Sequence, residues 1–144
     1  MSRLDMKKPF LPVRIAVLTV SDTRTPETDR SGDILAARIT AAGHIVAARA
    51  IVPDDVPRLV ATLSGWIADS QVDVVISTGG TGVTGRDITP EAFGQVIEKR
   101  IEGFGELFRM LSYQKIGYLH HPVPCPGGVA DGTYLLPCPA RPAR

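Results

Sequence analysis

The sequence predicts an α/β protein with a mostly parallel sheet. Two observations carry this. Three short β-branched runs, near residues 13–20, 44–52 and 72–77, alternate with segments whose apolar residues recur at helical spacing. The third run breaks directly into a loop with four glycines in seven residues, 79–85, ahead of a helix start. Strands alternating with helices form βαβ units with right-handed crossovers.

Val13-Arg14-Ile15-Ala16-Val17-Leu18-Thr19-Val20, bounded by Pro12 and Ser21-Asp22, reads as a buried strand. After a polar loop, Ser31 is a plausible helix N-cap, with Asp33 in the first turn. Leu35, Ile39 and Ala42 mark one face of that helix, and Gly43 suits its C-terminal cap. His44 to Val52 is a second strand, ended by Pro53-Asp54-Asp55. Val56, Leu59, Val60, Leu63 and Ile67 share a helical face. Val72 to Ser77 is the third strand. Thr89 can cap a helix that opens with Pro90 and Glu91 and turns Ala92, Phe93, Val96 and Ile97 inward. Gly103 and Gly105 interrupt it, and Phe104, Leu107, Phe108 and Leu111 resume helical spacing.

A chain of 144 residues with 44% hydrophobic and 22% charged residues can build one soluble domain. A net charge of +1 gives no broad field for nucleic acid or anionic membrane. No apolar run approaches a membrane span. Lys7-Lys8 before an apolar stretch resembles a signal peptide, but Arg14 interrupts the stretch and no small-residue cleavage site follows. The expectation is a cytoplasmic protein with a domain over 13–135, a flexible N-terminus over 1–12 and an irregular, disordered tail over 136–144. Cys125 and Cys138 fit no common zinc spacing.

In open parallel sheets, ligands bind outside the carboxyl ends of the strands. Residues 21–30, 53–55 and 77–88 belong at that edge. Glycines admit φ > 0 and let main-chain N–H groups point inward at an anion. Gly79, Gly80 and Gly82 can thus cradle a phosphate, with Ser77, Thr78 and Thr81 as hydroxyl donors and Arg86 as a counter-charge. No Gly-Lys-Ser/Thr follows, so this is not a Walker A loop. A carboxylate at Asp87 repels phosphate unless a Mg²⁺ ion stands between them, and Asp54 on the same edge can share that ion. The alternatives stay open: a tight turn with Arg86-Asp87 as a surface ion pair, and Asp54 as a helix cap.

Thr78-Gly-Gly-Thr-Gly-Val-Thr-Gly-Arg-Asp-Ile-Thr-Pro-Glu-Ala92 resembles the signature of the MoaB/Mog family of molybdenum cofactor biosynthesis proteins. The likeness extends to Leu18-Thr-Val-Ser-Asp-Thr-Arg24, Asp29-Arg-Ser-Gly32, Val52-Pro-Asp-Asp55 and Gly103-Phe-Gly-Glu-Leu-Phe-Arg109, so it spans residues 13–117 nearly without a gap. It implies a three-layer α/β/α fold of the molybdopterin-binding type and a homotrimer. It also implies molybdopterin as ligand and substrate, ATP as co-substrate with Mg²⁺, and the metal-insertion protein MoeA as a partner. The implied reaction is nucleotidyl transfer, AMP passing from Mg-ATP to the molybdopterin phosphate. By similarity, Asp54 and Asp87 are the catalytic and Mg²⁺-binding pair. Ser77, Thr78, Gly79, Gly80, Thr81, Gly82 and Arg86 line the phosphate or nucleotide site. Ser21, Asp22 and Ser31 are weaker candidates on a substrate rim, each also explicable as a strand end or helix cap. The alternative function is a non-catalytic molybdopterin-binding or scaffold protein of the MoaB type.

The tail departs from the pattern. Residues 117–144 hold six of the twelve prolines and both cysteines. They keep Gly128-Val-Ala-Asp-Gly-Thr133 but lack the family's flanking motifs and final helix. A one-base insertion turns suitable codons for Thr-Ser-Thr-Ile-Gln-Ser-Arg-Ala into Tyr118-Leu-His-His-Pro-Val-Pro-Cys125, and a one-base deletion explains Leu136 to Ala143 in the same way. A frameshifted C-terminus would leave the protein inactive. A divergent tail is the other explanation, but His120, His121, Cys125 and Cys138 lack the spacing of a metal site. A proline-rich tail is not expected to complete a central strand or a docking helix, and should leave apolar sheet surface uncovered.

Overall fold

The computed structural model describes residues 9–79, 88–104, 106 and 127–138. Chain order is β1 (Arg14–Val20), α1 (Arg30–Ala41), β2 (Ile45–Val52), α2 (Val56–Ala68), β3 (Val74–Gly79), α3 (Ile88–Val96), β4 (Lys99–Arg100), β5 (Gly128–Ala130) and β6 (Thr133–Cys138). One sheet runs in the order β2-β1-β3-β6-β5-β4. The strands β2, β1, β3 and β6 are mutually parallel, and β5 runs antiparallel to both β6 and β4.

Side-chain alternation along β1 sorts the layers. Ile15 and Val17 face α1 and pack with Ile39, Leu35 and Ile76. Ala16, Leu18 and Val20 face the other way, against Leu59 and Leu63 of α2 and Ala92 and Phe93 of α3. The result is helix on sheet on helix, the three-layer architecture expected. Phe93, Leu18, Leu59, Leu63 and Leu135 are fully buried at its centre.

The structure moves several element boundaries. Asp29, not Ser31, caps α1: its carboxylate accepts from the Gly32 N–H at 3.0 Å, and Ser31 lies exposed in the first turn. Gly32 is required there, because a Cβ would collide with the Asp29 carboxylate. Gly43 follows Ala42, the C-terminal cap of α1, with φ +88. Asp55, not Asp54, caps α2. The third strand starts at Val74 rather than Val72, since Asp73 turns its carboxylate back to the Arg14 main chain and guanidinium. Thr89 lies inside the first turn of α3 rather than capping it. The helical spacing expected at Leu107, Phe108 and Leu111 falls outside the described residues.

The tail is corrected most. Thr133–Cys138 forms β6, a central strand, so ordered structure passes the expected boundary at 135. Pro137 tolerates this place for a topological reason. The neighbour β5 pairs with β6 only as far as Leu135, whereas β3 continues to Cys138. The Tyr134 N–H points to β3, so by alternation the Pro137 nitrogen faces the β5 side, where pairing among the described residues stops at Leu135 and no ladder donor is lost. The β5–β6 turn is Asp131-Gly132, with φ of 46° and 79°. Both values suit the two-residue hairpin that matches strand twist. Tyr134, on the α1 side of β6, is 50% exposed, so some apolar surface is uncovered among the described residues.

Candidate active site

Parallel pairing in register brings three strand ends to one line. Val20 stands opposite Val52 on one side and Gly79 on the other. Ser21-Asp22 and Pro53-Asp54 therefore leave the sheet side by side, next to Gly79 at the end of β3, on the sheet's carboxyl edge.

Gly79 is where main chain must be bare. Its φ is +91, and a Cβ would collide with the Val20 carbonyl, so no larger residue fits this crossing. Gly80, Thr81, Gly82, Arg86 and Asp87 lie outside the described residues. Before Gly79, Ser77 is 1% exposed and Thr78 is 7% exposed. The Ser77 Oγ, the Thr89 Oγ1 and the Asp54 Oδ1 are buried atoms with no hydrogen-bond partner among the described residues. Orphaned polar atoms are rare in folded proteins, and here one lies near the end of β3, one just past β2 and one in the first turn of α3.

Asp54 and Asp22 meet across the gap between β2 and β1. The Asp54 main-chain N–H donates to Asp22 Oδ1 at 2.9 Å. Partial burial and, after it, the neighbouring Asp22 carboxylate push Asp54 above the usual carboxylate range. Two carboxylates drawn together without a cation between them repel, and a divalent ion relieves that. The chemistry of this pair therefore fits Mg²⁺, a hard cation that prefers carboxylate oxygens and water. Among the described residues no group of three or more His, Cys, Asp or Glu converges as a metal cluster.

Ser21 has a local task. Its Oγ accepts from the N–H groups of Thr23 and Arg24, at 3.2 and 3.1 Å, and so shapes the rim turn. The Ser21 N–H donates to the Val52 carbonyl at 2.9 Å, fastening that turn to β2. Ser31 is not drawn toward Asp22 or Asp54; it faces solvent on α1. The sequence reading passed over the support beneath this rim. Asp29 is 2% exposed and accepts from Thr19 Oγ1 at 2.8 Å and from Arg49 Nη2 at 3.3 Å. The signal available was a lone arginine in the otherwise apolar β2, Ile45-Val-Ala-Ala-Arg-Ala-Ile-Val52, opposite an acidic helix start.

Residues 16–138 match the family model described as "Probable molybdopterin binding domain". The chain is 44% identical over 130 residues to molybdenum cofactor biosynthesis protein B of Escherichia coli strain K12, covering 90% of this chain and 76% of that relative. A crystal structure of a molybdenum cofactor biosynthesis protein B superposes with a TM-score of 0.80 at 38% identity, over 92% of this chain and 83% of that one. The tungsten cofactor synthesizing protein MoaB of Pyrococcus furiosus superposes with a TM-score of 0.70 at 33% identity, over 89% and 82% respectively. On this match of fold and sequence, the chain belongs to the MoaB/Mog family of molybdopterin-binding domains and is a MoaB-like protein of molybdenum cofactor biosynthesis.

Proposed function

We propose that the chain binds molybdopterin and adenylylates it with Mg-ATP. The observation that carries this reading is the Asp54 carboxylate, held next to Asp22 at the sheet's carboxyl edge with one oxygen buried and unpartnered. The main-chain bond ties two loops together, but an unpaired carboxylate oxygen beside a second carboxylate gains nothing for the fold and suits a cationic ligand. Asp54 and, outside the described residues, Asp87 would hold Mg²⁺, with Asp22 supporting Asp54. When bound, the ion would supply positive charge that offsets the repulsion between these carboxylates and the substrate phosphates.

The nucleophile is the terminal phosphate of molybdopterin, already an anion, so no side chain has to remove a proton. One of its oxygens attacks the α-phosphorus of ATP. The bond from that phosphorus to the oxygen bridging to the β-phosphate breaks, and pyrophosphate leaves with the electron pair. The protein's work is to seat two anions in line, which is orientation and charge compensation. Gly79, bare because the Val20 carbonyl crosses it, ends the strand beside β1, and the buried Ser77 hydroxyl is a donor without a competing partner among the described residues. The parallel sheet fixes both against the rim formed by Ser21 and Asp22. A homotrimer and docking to MoeA belong to the same proposal, by family resemblance.

The test is transfer of labelled AMP from Mg-ATP to molybdopterin by purified protein. The expected result is turnover that falls about 100-fold or more in Asp54→Asn, the scale on which one preorganised charge acts in a transition state. Turnover that survives Asp54→Asn and Asp87→Asn would exclude the carboxylate roles. Molybdopterin binding with no AMP transfer would favour the non-catalytic scaffold.

A further inference from the structure

We infer that Arg49 is a positioning residue for this site: through Asp29 it fixes the rim segment that carries Asp22, and through Asp22 it fixes Asp54. The inference rests on the reading of Asp54 as a site carboxylate. Asp29 is a buried carboxylate with three donors: Thr19 Oγ1 at 2.8 Å, the Gly32 N–H at 3.0 Å and Arg49 Nη2 at 3.3 Å. Only Arg49 among these carries a positive charge. The same Nη2 donates to Asp33 Oδ1 at 2.9 Å, which keeps the guanidinium turned toward α1. Arg49 stands opposite Val17 on the α1 side of the sheet, so the bond ties β2 to the start of α1.

The segment between β1 and α1 has two anchors. Ser21 holds its first end on the Val52 carbonyl, and Asp29 holds its last. Between them, among the described residues, one bond reaches out of the segment, the Asp54 N–H on Asp22, and Thr25 with Thr28 and Arg24 with the Thr28 carbonyl are local and exposed. Asp22 belongs to this segment, and its carboxylate receives the Asp54 N–H. A buried carboxylate stripped of its cation has neutral donors only, and it lowers its energy by admitting water. For Asp29 that means drawing the segment's last anchor outward, and the turn bearing Asp22 loosens with it.

The variants are Arg49→Met, Asp29→Asn and the two combined. The first readout is amide hydrogen exchange over residues 21–28 and at Asp54, with α2 as the internal reference. The second is Mg-ATP binding by calorimetry. Arg49→Met is expected to speed exchange over 21–28 and at Asp54 about tenfold, leave α2 unchanged, and weaken Mg-ATP about fivefold. Adding Asp29→Asn removes the stranded charge and should return exchange to within about twofold of the parent. Should Arg49→Met fail to fold, Arg49→Lys, with its charge on one nitrogen, carries the same comparison at about threefold. Unchanged exchange over 21–28, an equal rise across α2, or the same effect in the Asp29→Asn background would each overturn the inference. The expected exchange pattern without Mg-ATP binding by the parent protein would uphold the Arg49 link and overturn the nucleotide reading.

Discussion

The main-chain N–H of Asp54 rests on the carboxylate of Asp22, 2.9 Å away, so two loops from different βα units share one hydrogen bond at the sheet edge. The bond needs an acceptor at position 22 and not a charge. Asp22→Asn should keep it and leave AMP transfer within about threefold of the parent. Asp22→Ala should lose it, lower stability by about 1 kcal/mol and slow transfer about tenfold. Rates and thermal melts of the two variants, side by side, make the comparison.

Two aspartates give opposite dependence of stability on pH. Asp54 lies above the usual carboxylate range when folded, through burial and the charge of Asp22. Its protonated form is favoured by folding, so its contribution is fully present below the unfolded carboxylate value and is lost as pH rises through the folded one. Asp54→Asn, always uncharged, should therefore melt at or above the parent temperature at neutral pH. The difference should vanish in acid. Asp73 is held below the usual range by hydrogen bonds from the Arg14 side chain and main chain. Its contribution is present above the unfolded value and is lost as pH falls through the folded one, so Asp73→Asn should lower the melting temperature at neutral pH only. Melting curves across pH 3 to 8, the span about the carboxylate range, separate the two signs.

Gly79→Ala meets two obstacles at once, a φ of +91 and the Val20 carbonyl. The strain of a left-handed residue, about 1–2 kcal/mol, adds to the displacement of β1 from β3. Denaturant unfolding should show a loss of at least about 2 kcal/mol, and a variant as stable as the parent would refute the geometry of this crossing.

Leu135 is fully buried, on the strand the sequence reading left incomplete. Leu135→Ala should destabilise by about 2–5 kcal/mol, as expected for a core leucine. A change under about 0.5 kcal/mol would mean that β6 is not part of the core.

Periodicity made the first half legible. The alternating core residues of β1 and the apolar stripe of α2 stand out because each has one buried face, and the site edge follows from parallel pairing. The sequence reading missed what depends on distant partners. Asp29 rather than Ser31 caps α1 because Arg49 and Thr19 complete its shell, and neither is near it in sequence. Lys99–Arg100 is too short and too polar to declare itself; it is a strand because β5 lies beside it. Asp131-Gly132, inside the retained stretch 128–133, is readable as a hairpin turn on local grounds, but the prolines of the tail argue against a central strand after it. Pro137 is tolerated because its nitrogen falls on the β5 side, past the last described pair of Gly128 with Leu135, which no local pattern reveals.

The position of β6 also orders events during synthesis. It is the last strand among the described residues, yet it lies in the middle of the sheet, and β5 and β4 reach the rest only through it. A nascent chain can assemble β2, β1 and β3 as soon as they emerge. The far half must wait until β6 clears the ribosome, and until then the flank of β3 offers an open row of amides to any passing strand. Chaperone protection should therefore matter most in that interval, and a ribosome stalled just short of residue 133 should display the half-built sheet as the species most prone to aggregate.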